Sequence, residues 1–146
     1  MYTELFSEAH AVLVHQEPVS TSGALSYGYV DLSNYHRAVL VLHVGACKGD
    51  VDCELLQNDD PADPTNEKPI DVPGWGADKE INTLTNTTSD ICIIELRTEE
   101  LDVNGGFHYV GVAVNTTQAA IISYVLYGIE PRYEPVPVTL IEEVVP

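Results

Sequence analysis

The sequence predicts an all-β fold: a single-domain antiparallel β-sandwich of jelly-roll type. Three observations predict it. Apolar residues recur with a period of two in one segment after another, the mark of half-buried antiparallel strands. No segment sustains a helical period of useful length. The chain has 146 residues, 45 % of them apolar, enough to bury one core without disulfides or metals.

The elements follow in order. TELFSEA, near the start, has room for one or two helical turns, and AVLVH at 11–15 begins the strands. LSYGYVDL at 25–32 is a second strand. In YHRAVLVLHV, Ala38, Leu40, Leu42 and Val44 share one face. GACKGD at 45–50 reads as a hairpin turn; its glycines and lysine lack the spacing of a phosphate-binding loop. In VDCELLQ, Val51, Cys53 and Leu55 face one way and Asp52 and Glu54 the other.

Residues 57–79 form a long irregular loop with prolines and five aspartates, and loops of this length are functional or disordered. Its oxygens invite a calcium reading, but it lacks EF-hand spacing and a glycine in place, so a solvated, proline-stiffened loop is the better expectation. KEINTLT at 79–85 and DICIIELR are strands; in the latter Cys92, Ile94 and Leu96 oppose Ile93 and Glu95. TEELD at 98–102 has one helical turn. LDVNGGFHYV then supplies a corner in which Asn104, Gly105 and Gly106 tolerate positive φ, a crossover between two sheets and not a binding site. FHYVGVAV places Val110, Val112 and Val114 on one face, with His108. The sequon-like Asn86-Thr87-Thr88 and Asn115-Thr116-Thr117 fall at expected turns. QAAIISYVLYG is apolar on both faces, so it is expected to be a central strand or one covered by a partner chain. From about residue 130 to 146 the spaced prolines imply an extended C-terminal arm.

Composition excludes several functions. Six Lys and Arg stand against 23 Asp and Glu, a formal charge of −17, which repels nucleic acid and anionic membranes alike. No apolar run approaches the ~20 residues of a membrane helix, and MYTELFSEAH lacks the basic and apolar regions of a signal peptide. Cys47, Cys53 and Cys92 form no C-x-x-C pair and read as small buried hydrophobes. His10, His15, His36, His43 and His108 show no metal-ligand spacing, so no metal or cofactor is expected. Nucleophile elbows and dinucleotide fingerprints are absent, which argues against an enzyme. The candidate interface residues are Trp75, set between glycines on the long loop, and Arg132, Tyr133, Leu140 and Ile141 of the C-terminal arm.

The string YVDLSNYHRAVLVLHVGACKGDVDCELLQ, the KEINTLT segment, and then ICIIELRTEELDVNGGFHYVGVAVNTTQAAIISYVLYGIEPRYEPV together resemble head decoration (cement) proteins of tailed bacteriophages. The resemblance spans residues 25–136 and lies in the order of segments. It implies a β-sandwich or jelly-roll subunit, usually trimeric, bound to the major capsid protein on the outer surface of the virion, made in the host cytoplasm and without catalytic residues. An alternative is a carbohydrate- or receptor-binding jelly roll of a phage tail or fibre, for which Tyr27, Tyr29 and Tyr35, of one parity, would form an exposed aromatic row, unless they pack in the core. A cupin-like enzyme would need clustered histidines that the sequence lacks.

Overall fold

A computed structural model of the chain describes residues 6–25, 28–71, 78–133 and 140. One helical turn, α1 (Phe6–Ala9), leads into eight strands: β1 (His10–Ala24), β2 (Tyr29–Asp31), β3 (Tyr35–Val44), β4 (Asp50–Asn58), β5 (Lys68–Pro69), β6 (Glu80–Thr85), β7 (Asp90–Arg97) and β8 (Tyr109–Pro131). All named pairings are antiparallel.

β8 organises the molecule. Its second half pairs with β1 on one side and β3 on the other, and β7 adds outside β3. Its first half pairs with β2 and the end of β1 on one side and with β4 on the other, and β5 and β6 add outside β4. One curled antiparallel sheet thus folds into two layers, and the expected all-β sandwich is what the chain forms. The jelly-roll connectivity gains no support from this order, because the two layers share β8.

Alternation fixes which side chains meet between the layers. Leu40, Leu42, Ile94, Leu96, Ile122 and Leu126 from the first layer face Val51, Cys53, Leu55, Val110 and Val112 from the second, and all are buried. All but Ile122 and Leu126, which lie in a segment apolar on both faces, have the parity expected from the sequence, since a one-residue slip would turn them outward.

Three local expectations are corrected. Residues 115–117 are not a turn but the bend of β8, where Thr116 is buried and its hydroxyl accepts from the Gly23 backbone N–H at 3.2 Å. Residues 45–50 do not close a hairpin. β3 and β4 both pair with β8, so the segment carries the chain between layers, held by the Gly45 N–H to the Ile121 carbonyl at 2.8 Å. The loop at 57–79 is more ordered than an irregular stretch. Gln57 and Asn58 belong to β4, Pro64–Asn66 form a 3-10 turn capped by Asp63, β5 follows, and Asp71 bridges Asp78.

The strand expected at 11–15 runs on to Ala24, with Pro18 at an irregularity of this edge strand, where a missing N–H is tolerated. The strand expected at 25–32 is confined to Tyr29–Asp31 among the described residues. The TEELD turn is 3-10, over Thr98–Glu100. Glu130 and Pro131, expected to open the C-terminal arm, belong to β8, and beyond Tyr133 the segment read as an arm lies outside the described residues except for Leu140.

Candidate interaction surfaces

The corner at residues 98–108 is structural, as the sequence suggests. It carries the chain from β7 in one layer to the start of β8 in the other. Gly106 takes φ +86°, which closes the 3-10 turn Val103–Gly105. Asp102 accepts from the Gly105 N–H at 3.1 Å and from Lys68 Nζ at 2.6 Å, and Lys68 also lies 3.8 Å over the Phe107 ring. The hydrogen bond from Lys68, then that from Gly105, holds the Asp102 carboxyl below its ordinary range. His108 is half-buried, its ring against Tyr109 and its Nδ1 2.7 Å from the Gly106 carbonyl oxygen. These partners tie β5 to the corner.

The other chemically suggestive groups are likewise engaged in structure. Asp60 and Asp63 accept from backbone N–H groups two residues on, at 2.9 Å each. Cys47 and Cys53 are buried, Cys92 is half-buried, and all three are free thiols. Burial first, then the charge of Cys92, pushes the Cys53 thiol up to about 12, the opposite of what a nucleophile needs. Tyr35 is buried, and the hydroxyl of half-buried Tyr29 donates to Glu67, so these two tyrosines do not form an exposed row. Tyr27 lies outside the described residues. Among the described residues, no three His, Cys, Asp or Glu side chains group as metal ligands do.

The two broad faces of the sandwich differ in chemistry. On the second layer, Asp52, Glu54, Glu67 and Glu80 border one shallow hollow of about 480 Å³. Burial, and then the carboxylates of Glu80, Asp78, Glu67 and Asp52, hold Glu54 above the usual carboxylate range. This face is strongly acidic.

The first layer is the reverse. Its outward residues fall into register across four strands. Ile93, Val41, Val125 and His15 form one row. Glu95, Val39, Tyr127 and Val12 form the next, and Ile91, His43 and Ser123 a third. Ile91 is 65 % exposed, Ile93 59 % and Ile121 56 %. Phe6 extends the patch, packing edge-on against Tyr127 at 5.7 Å. The sequence signal was present in the apolar outward parity of DICII and QAAIISYVLYG.

At one end of this face lies a cleft of about 670 Å³ lined by His36, Arg37, Arg97, Thr98, Glu99, Val103, Glu130 and Arg132. It gathers all three arginines of the chain. Arg37 bridges Glu95 at 3.3 Å and Glu130 at 3.4 Å, and Arg97 pairs with Glu99 at 3.5 Å. Positions 37, 97 and 132 have no regular spacing, so only the fold reveals the cluster. Of the residues singled out from sequence, Arg132 lines this cleft, its backbone N–H donating to the Asn34 carbonyl at 2.8 Å. Tyr133 beside it is 77 % exposed and Leu140 47 %. Trp75 and Ile141 lie outside the described residues.

No family model and no curated protein sequence matches this chain.

Proposed function

We propose that this protein is a non-catalytic structural subunit that binds the outer surface of a tailed-bacteriophage head, contacting the major capsid protein and stabilising the shell as a homotrimer. The observation that carries the binding role is the polarity of the sandwich. A two-layer body presents exposed apolar side chains on one face and an acidic face on the other. An apolar face of this extent serves as a protein contact surface. The acidic face suits a partner with basic surface, and its carboxylates disfavour phosphates and anionic lipids. The placement on a phage head, and the trimer, rest on the resemblance in segment order over residues 25–136.

On this reading the protein works by burying area across neighbouring shell subunits, with symmetric copies adding avidity. The test is co-sedimentation of the purified protein with empty expanded heads, followed by thermal challenge of the loaded and bare shells. Saturable binding and a raised disruption temperature support the reading. Failure to sediment with any such shell, alongside specific retention on a glycan array, would transfer it to the tail or fibre class of sugar-binding modules.

A further inference from the structure

The outward face of the first layer takes a second copy of this chain. We infer this from the coincidence of three properties at one place. It rests on the self-association proposed above and adds to it a specific surface, through which two copies pair about a two-fold axis.

The first property is an apolar surface in register, exposed at Ile91 and Ile93 and half-buried at Val39, Val41, Val125 and Tyr127. Val39, Val41, Ile91, Ile93, Val125 and Tyr127 lie side by side across β7, β3 and β8, and β7 is the last strand of its layer. Ile91 and Ile93 therefore sit on a strand that has no further strand beside it among the described residues, where exposed branched side chains invite uncontrolled pairing. Their cover has to be a defined one.

The second is extent. Four strands of this length present a face of about 20 by 25 Å. That is ~500 Å² before side-chain relief, of the same order as the about 800 Å² each partner contributes to a standard interface.

The third is charge, and it selects the occupant. With 23 acidic and six basic residues, two copies repel each other across most of their surfaces. On this face they do not. Its middle has no carboxylate, and at its end Glu95 is matched by Arg37 and Glu99 by Arg97. A basic foreign partner would be drawn to the acidic second layer, whereas a like chain can approach closely only here. The exposed arginine end supplies the kind of rim found around apolar interface centres.

The surface makes a distinctive demand on salt. Association through it has to overcome the repulsion of two charges of −17, so it strengthens as ionic strength rises, the reverse of ion-pair docking. The experiment is sedimentation equilibrium of the full chain from 1 to 200 µM, at low and high sodium chloride. Three variants accompany it: Ile93→Glu, the milder pair Ile91→Thr with Ile93→Thr, and Asp52→Asn on the opposite face. Circular dichroism confirms that each is folded. The expected result is an oligomer that tightens with salt. Ile93→Glu loosens it by about tenfold or more, the threonine pair weakens it less, and Asp52→Asn does not weaken it. A monomer throughout the range overturns the inference, as does an oligomer indifferent to Ile93 or one that dissociates as salt rises. Head co-sedimentation of Ile93→Glu is measured beside it, so that lost self-association with retained shell binding separates this surface from the functional reading.

Discussion

The ring of Tyr35 lies against the backbone of Gly128 so closely that a methyl group on the glycine would stand 2.8 Å from ring carbons. Gly128 sits near the C-terminal end of β8, between Ala38 of β3 and Ala11 of β1, so neither neighbour yields much by moving a side chain. Gly128→Ala is expected to lower stability by about 1–3 kcal/mol through overpacking. Tyr35→Ala removes the clash, so the double variant should lose less than the sum of the two, a coupling read from urea denaturation.

Leu42 is fully buried between the layers. Leu42→Ala should cost about 2–5 kcal/mol, the range for a core cavity of this size. The outward neighbour Val41 offers the control: Val41→Thr in the same strand should cost far less in the same denaturation series, because its side chain already meets water on one side.

Cys53 predicts an alkaline effect of definite sign. Its thiol is pushed from 9.0 to about 12 in the fold, first by burial. A raised folded pKa means full stability below the unfolded value and progressive loss above it. Stability should therefore decline from about pH 9 toward 12, with Tyr35 and Tyr124, both raised by burial, adding to the loss above 10. Cys53→Ala should flatten the slope of stability against pH between 9 and 10, whatever its cost in packing. An unchanged slope would refute the assignment.

Two ion pairs should differ sharply in worth. Lys79 meets Glu100 at 3.0 Å, both side chains under one-fifth exposed, and also donates to the Glu95 carbonyl at 2.8 Å. Lys79→Met should cost about 1–3 kcal/mol, because it removes the counter-charge of a partly buried carboxylate and leaves it, among the described residues, only the Arg97 N–H at 2.8 Å. Arg37, whose carboxylate partners are more than half exposed, should give under about 1 kcal/mol on Arg37→Gln. Raising salt should shrink the second effect more than the first.

The sequence made the inward parity of β3, β4, β7 and the first part of β8 legible, because a half-buried strand has to alternate. It concealed connectivity. Five residues with two glycines look alike whether the flanking strands pair with each other or both pair with a third, and GACKGD is the second case. Asn115-Thr116-Thr117 looked like a turn because it is polar. Yet Thr116 hydrogen-bonds across to β1, and the Thr117 hydroxyl accepts from the Asp50 N–H at 2.8 Å, so polarity there serves a bend within the strand. QEPVSTSG likewise hid the second half of β1, whose edge position admits both proline and polar residues. At the site level, the apolar second face of QAAIISYVLYG could be read, whereas the convergence of Arg37, Arg97 and Arg132 depends on three distant strand ends meeting.

Because β1, β2, β3 and β4 all pair with β8, four of the seven strand pairings among the described residues, including every one that joins the two layers, wait for residues 109–131. A ribosome has to release β8 before the two layers can close. Folding is accordingly a late, long-range event of high contact order, slow beside that of a hairpin-built protein of equal size. During that wait the apolar strands stand open to other nascent chains. The carboxylates spread along the same segments hold those chains apart, so the acidity of the sequence protects the molecule before it has a surface at all.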